Sequence, residues 1–127
     1  MGKYVINKTE KGFTFALKAA NGESVATGGE VYSGLDSVKN GIKSVETNAP
    51  TAAIEDQTVE GYQTAKNPKF EIYSDKAGQF RFRLKAKNGQ VIAVSEGYTS
   101  KANCKNGIQS VKKNSVNSPV IEPAETK

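Results

Sequence analysis

The chain contains no histidine and a single cysteine, Cys104, among its 127 residues. Without histidine there is no side chain that readily exchanges protons near neutral pH. Triads built on that residue are therefore excluded, as are metal centres that depend on imidazole. One cysteine rules out an internal disulfide and fits a reducing compartment. No apolar run is long enough to cross a membrane, and the opening residues, MGKYVINKTE, lack the apolar stretch of a secretory signal. The expected setting is the cytoplasm, with no membrane partner. The phosphate-cradling patterns G-x-x-x-x-G-K-[ST] and G-x-G-x-x-G are also absent, which leaves the familiar nucleotide cradles unsupported.

What is present has the balance of a globular protein, 36% hydrophobic and 24% charged, and a chain of this length can bury one cohesive core. The net charge of +5 is unevenly spread. Residues 1–50 carry 6 basic and 5 acidic side chains, residues 51–68 carry 1 and 3, and residues 69–127 carry 11 and 5. The positive charge thus belongs to the second half, which suits an anionic partner such as a nucleic acid, or simply a solvated surface.

The chain also repeats itself. Phe13 to Ala26, FTFALKAANGESVA, and Phe80 to Ala93, FRFRLKAKNGQVIA, agree at 8 of 14 positions, where chance gives about one. Tyr32 to Asn48 and Tyr98 to Asn114 agree at 8 of 17. Within each copy the apolar period is first two: Tyr4, Ile6, Phe13, Phe15 and Leu17, then Phe70, Ile72, Phe80, Phe82 and Leu84. Such alternation predicts half-buried strands. Asn21-Gly22 and Asn88-Gly89 predict tight two-residue hairpins, leading to third strands near Ser24 to Thr27 and Val91 to Ser95.

The period then becomes helical, because Leu35, Val38, Ile42 and Val45 share one face, as do Ala102, Cys104, Ile108 and Val111. Ser33 with Asp36 predicts a capping box for the first helix, and Thr99 or Ser100 a cap for the second. Each helix should end near Asn48 or Asn114. Short final strands are expected at Ala52 to Glu55 and Pro119 to Glu122. The modules are then β-β-β-α-β units over residues 1–56 and 68–122, joined by a polar linker, 57–67, and followed by a frayed tail, 123–127.

The hairpin FRFRLKAKNG, the stretch Ser95-Glu96-Gly97-Tyr98 and the helix core KNGIQSVKKN resemble the YegP-like family, a small bacterial group of unknown function. The first copy keeps LKAANG and KNGIKSV but has Gly28-Gly29-Glu30-Val31 before Tyr32. What the resemblance implies is an α+β fold in which two β-β-β-α-β modules share one antiparallel sheet, carry both helices on one face and exchange their last strands. A monomer with internal pseudo-twofold symmetry is the expected state. Exchange makes physical sense, since a module of about sixty residues builds only a marginal core alone.

Candidate chemistry is sparse. Cys104 aligns with Val38, so its position asks for a small apolar group rather than a nucleophile. Glu55, Asp56 and Glu60 lie close enough in sequence to suggest a divalent cation, but only Glu122 aligns with Glu55 in the second copy, and acids of this kind are more often simply solvated. No catalytic residue, metal ligand or cofactor is expected. The strongest pattern is Arg81, Arg83, Lys85 and Lys87, alternating with Phe80, Phe82, Leu84 and Ala86. On a strand these four cations would line one sheet face as a ladder able to track phosphates. The first copy has Thr14, Ala16, Lys18 and Ala20 at those places, and no outward aromatic stands beside the cations, with Tyr73 the nearest. Gly41 and Gly107, mid-helix in both copies and each preceded by Asn, cost about 1 kcal/mol relative to Ala, and close packing of helix on sheet would offset that. The expected function is a non-enzymatic interaction or structural protein, with polyanion binding through the ladder as the alternative.

Overall fold

In the computed structural model, which describes residues 2–28, 30–116 and 118–122, the alternating apolar residues lay down strands where the period of two places them. The first copy forms β1 (Lys3–Thr9), β2 (Gly12–Lys18), β3 (Ser24–Gly28), α1 (Leu35–Asn48) and β4 (Ala53–Asp56). The second forms β5 (Lys69–Ser74), β6 (Phe80–Lys85), β7 (Val91–Val94), α2 (Lys101–Asn114) and β8 (Val120–Ile121). The tail expected over 123–127 lies outside the described residues.

All eight strands join one sheet in the order β4-β5-β6-β7-β3-β2-β1-β8. The last strand of each copy is therefore added to the first strand of the other, β4 on β5 and β8 on β1. One amendment to an antiparallel sheet is needed: the six inner strands are antiparallel, but both exchanged strands pair in parallel. A parallel neighbour requires a long crossover rather than a hairpin, and residues 57–68 provide it between β4 and β5. At the centre Thr27 stands opposite Val94, its own counterpart in the repeat, so the pseudo-twofold axis passes between them.

The two hairpins differ from the tight form expected. Gly22 N–H donates to Ala19 O at 2.9 Å and Ala19 N–H to Glu23 O at 2.9 Å, and the second copy repeats this with Gly89, Ala86 and Gln90. The loop is thus three residues long, closed by a glycine alone at φ 86° in each copy. Asn21 and Asn88 instead accept the backbone N–H of Glu23 and Gln90, both at 3.0 Å, a side-chain turn that leaves the positive φ to glycine.

The helices start unequally. Ser100 caps α2 by accepting Asn103 N–H at 3.1 Å. The capping box expected at Ser33 and Asp36 does not form, because the cap position falls one residue later, on Gly34, which has no side chain to accept a bond. Asp36 remains in the first turn, where a negative charge favours the helix dipole.

One face of the sheet holds Tyr4, Ile6, Phe15, Leu17, Phe70, Ile72, Phe82 and Leu84, all buried, under Val38, Ile42 and Val45 of α1 and Cys104, Ile108 and Val111 of α2. Burial of each large side chain contributes about 1.5–3 kcal/mol, so this single layer dominates stability. Each helix straddles the module boundary, α1 resting on β2 and β7 and α2 on β6 and β3. Neither module owns its core. Tyr4 reinforces the join by donating its hydroxyl to Ser115 O, just past α2, at 2.7 Å.

Candidate functional site

The face turned away from the helices carries the cations singled out above. Arg81, Arg83 and Lys85 lie on β6 and point that way, while Lys87 falls beyond the strand, exposed in the β6–β7 turn. The ladder therefore has three rungs, not four, because the strand ends at Lys85. Antiparallel register puts Glu71 opposite Arg83 and Tyr73 opposite Arg81, and acidic neighbours engage all three cations. Arg83 Nε lies 2.5 Å from Glu71 Oε1, Lys85 Nζ 3.3 Å from Glu71 Oε2, and Arg81 Nε 2.7 Å from Asp75 Oδ2. Tyr73 is an outward aromatic on this face after all, with the Arg83 guanidinium 4.5 Å above its ring.

The pairing extends into a buried cluster. Lys69 sits between Glu55 at 2.7 Å and Glu71 at 3.3 Å, and all three side chains are under a tenth exposed. The polar stretch after β4 closes over them as a strap: Gln57 Nε2 donates to Glu55 Oε2 at 2.6 Å, and Ala65 N–H to Glu55 Oε1 at 2.7 Å. Burial alone would raise the Glu55 pKa, but the bonds from Gln57, Lys69 and Ala65 outweigh it and bring it down to about 2. Hydrogen bonding to Glu55 pushes the Lys69 ammonium up against its own desolvation. The first copy has Val5 and Ala16 where Glu71 and Arg83 stand, so the cluster belongs to one half of the sheet. The three acids weighed as cation ligands diverge: Asp56 turns to Lys101 at 3.0 Å on α2, and Glu60 is exposed in the strap.

On the helical side a second feature occurs twice. Tyr32 and Tyr98 each bridge back to the start of a strand, Phe13 and Phe80, through paired backbone bonds of 2.7 and 2.8 Å. Each ring then stacks on a core phenylalanine, Phe15 or Phe82, with centroids 6.1 and 6.3 Å apart. This sets the hydroxyl above the helix glycine: a Cβ built on Gly41 would stand 2.4 Å from Tyr32 Oη, and one on Gly107 2.4 Å from Tyr98 Oη. The mid-helix glycines are thus explained by close packing, chiefly against a tyrosine.

Beside each tyrosine opens a cleft shared by both modules. The one along α2, about 330 Å³, is walled by Tyr98, Asn103, Asn106 and Ser110 and, across from them, by Glu23 and Val25 of the other module. The one along α1, about 280 Å³, has Tyr32, Ser37, Asn40 and Ser44 facing Gln90 and Ile92. These are the same places in the repeat. The match reaches fine detail, since Asn48 donates to Ser44 O at 2.7 Å and Asn114 to Ser110 O at 2.8 Å. Burial and the Glu30 carboxylate raise the Tyr32 pKa, and burial, Cys104 and Glu96 raise that of Tyr98. Both phenols therefore stay protonated as donors. The signal for these tyrosines is in the repeat, where each precedes its Asn-Gly pair at a fixed spacing, but a tyrosine beside a helix ordinarily reads as core.

Cys104 is fully buried under α2, and burial foremost, with Asp56 nearby, pushes its thiol up to about 11. It packs where Val38 packs in the other copy.

An eight-stranded sheet shared by two modules that trade their final strands defines a strand-exchanged, tandem-repeat α+β protein. The chain matches the family described as Domain of unknown function (DUF1508) twice, over residues 9–56 and 75–122, and it belongs to that family. It is 42% identical over 121 residues to the UPF0339 protein YegP of Yersinia pestis, covering 94% of each chain. A UPF0339 protein of Treponema denticola is 63% identical over 54 residues, 42% of this chain but 93% of that one, and is thus about one module long. The solution NMR structure of YegP from E. coli, a protein of unknown function, superposes with a TM-score of 0.78 at 31% identity, covering 98% of this chain and 96% of that one. A UPF0339 protein from Shewanella oneidensis gives 0.77 at 34% identity, with 95% and 90% covered. No helix among the described residues is long and apolar enough to cross a membrane.

Proposed function

We propose that this is a non-enzymatic binding protein that works from its helical side through two equivalent clefts, one beside Tyr32 and one beside Tyr98. The observation that carries this reading is the duplication itself. The same tyrosine, asparagine and glycine recur in both copies, and each helix tolerates a glycine costing about 1 kcal/mol to admit the hydroxyl. Because every cleft borrows one wall from the other module, the site exists only in the joined protein. A partner offering two matching groups engages both clefts at once and gains avidity from the linkage. A cytoplasmic setting belongs to the same reading, supported by the free thiol of Cys104.

Polyanion binding through Arg81, Arg83, Lys85 and Lys87 has less support. Three of these cations are already held by Glu71 and Asp75, so an incoming phosphate must compete with a carboxylate for each, and only Lys87 is exposed in a turn.

The test is capture from native lysate on the immobilised full chain. A partner should be recovered, be lost when the exposed Asn40 and Asn106 are both replaced (Asn40→Trp, Asn106→Trp), and be retained when Arg81, Arg83, Lys85 and Lys87 all become Gln. Recovery that ignores the cleft substitutions but disappears with the four Gln changes, together with steep salt sensitivity, reverses the assignment in favour of the polyanion reading.

A further inference from the structure

Each cleft sets hydrogen-bonding groups beside a small apolar wall. Among the described residues no lysine or arginine lines either of them, and Glu23 or Glu30 stands at the rim, so an anionic ligand would meet a like charge with nothing there to neutralise it. The apolar wall is Ala19 and Val25 with the Tyr98 ring in one cleft and Ile92 with the Tyr32 ring in the other, enough for one edge of a small ligand. Some of the polar groups are already engaged, Ser44 and Ser110 by Asn48 and Asn114 and Gln90 by Asn88, but the two tyrosine hydroxyls are not. Among the described residues Tyr4 is the tyrosine whose hydroxyl bonds within the protein; those of Tyr32 and Tyr98 find no protein partner, and neither is sealed from the cleft. The carboxamides of Asn40 and Asn106 are exposed beside them. A phenylalanine would stack on Phe15 or Phe82 as well as tyrosine does, yet both copies keep the hydroxyl and the helix glycine that makes room for it.

Building on the two-cleft reading, we propose that each cleft binds an uncharged ligand dense in hydroxyl or amide groups, about the size of one sugar ring, with the Tyr32 and Tyr98 hydroxyls as anchoring donors. Volumes of about 280 and 330 Å³ lie just below and just inside the roughly 300–1,000 Å³ seen for small-molecule sites, which suits one ring per cleft at most. Carboxamides and a phenol satisfy alternating donors and acceptors of such a ligand without desolvating any charge. Two sources share that chemistry, a polyol such as a saccharide and a compact amide, and they are separable by experiment.

Amide resonances of the full chain are followed by two-dimensional NMR while methyl glucoside is added in one arm, N-acetylglycinamide in a second and inorganic phosphate in a third, each to about 50 mM, since ligands of about a dozen heavy atoms bind in the millimolar range. The expected result is that the Gly41 and Gly107 signals shift together and saturate in the first or the second arm, the responding arm identifying the source. Tyr32→Phe should weaken binding roughly fivefold at Gly41 alone, and Tyr98→Phe roughly fivefold at Gly107 alone. Asn40→Ala and Asn106→Ala, at exposed positions, provide the same comparison with the tyrosine packing untouched. The proposal is overturned if neither arm moves these two signals, if phosphate moves them more, or if all four substitutions leave the titrations unchanged. Failure here with lysate capture still lost on Asn40→Trp and Asn106→Trp would remove the ligand class and leave the clefts as a protein contact.

Discussion

Replacing Gly107 by alanine tests the packing on which the clefts depend. In an unencumbered helix this change gains about 1 kcal/mol. Here the new Cβ would stand 2.4 Å from Tyr98 Oη, 2.9 Å from Cζ and 3.1 Å from Phe82 Cε2. Tyr98 has little room to yield, because its ring stacks at 14° on Phe82 and its backbone is bridged to Phe80. Overpacking of this kind costs about 1–3 kcal/mol. The sum is a net loss of about 1 kcal/mol, or about 4 °C in Tm for a domain of this size. Adding Tyr98→Phe removes the nearest obstructing atom, so the double variant should recover a good part of the loss, giving a coupling of about 1 kcal/mol in a double-mutant cycle. Gly41→Ala with Tyr32→Phe is an internal replicate, since a Cβ there stands 2.4 Å from Oη and 2.7 Å from Cζ. Urea unfolding followed by circular dichroism measures all of these. The reasoning fails if Gly107→Ala and Gly41→Ala stabilise the protein, with or without the tyrosine changes, as they would on an open helix.

The Glu55 carboxyl is held below its unfolded value, so its contribution is complete above about pH 4.5 and is lost as the pH falls towards about 2; acid unfolding should become less steep in Glu55→Gln, and an unchanged acid limb would count against the cluster. Glu55→Ala strips Lys69 of its nearest counter-charge and should cost about 3 kcal/mol in urea unfolding. Residues 1–56 and 68–127 made separately should be unstable alone and combine on mixing into a folded pair with native-like spectra, whereas a stable monomeric half would contradict the exchange of β4 and β8. Cys104 should resist a thiol reagent in the native protein and react promptly in urea, since burial raises its pKa to about 11; fast native labelling would place it elsewhere.

Most of the fold could be read because the two periods are strong. Alternation at Phe13, Phe15 and Leu17 locates β2, and the 3-4-3 spacing of Leu35, Val38, Ile42 and Val45 locates α1, since each pattern has one arrangement that buries every apolar member. The parallel docking of β4 and β8 was hidden, because a four-residue strand carries no mark of its neighbour's direction. The cap on α1 falls one residue from its expected place because Ser33 and Gly34 are adjacent, and the sequence pattern does not fix a helix boundary to a single residue. At the candidate site the cations were visible as a pattern, but their partners were not. Glu71 lies twelve residues before Arg83 and is brought opposite it by strand register, a relation that periodicity along one strand cannot express. The strap over Glu55 was equally obscure, since DQTVEGYQTAKNP has the composition of a solvated connector and its contacts arise from backbone N–H groups and one amide.

The pairing of β8 with β1 has a consequence for how the chain is made. The outer edge of β1 is covered by a strand formed from residues 120 and 121, so the sheet cannot be completed until the whole second module has been synthesised. Until then β1 presents an unpaired edge, and the growing chain is at its most prone to misassembly with other nascent chains. Contacts of such long sequence separation also slow folding after release, which makes the interval between emergence and closure the period when a chaperone has the most to protect.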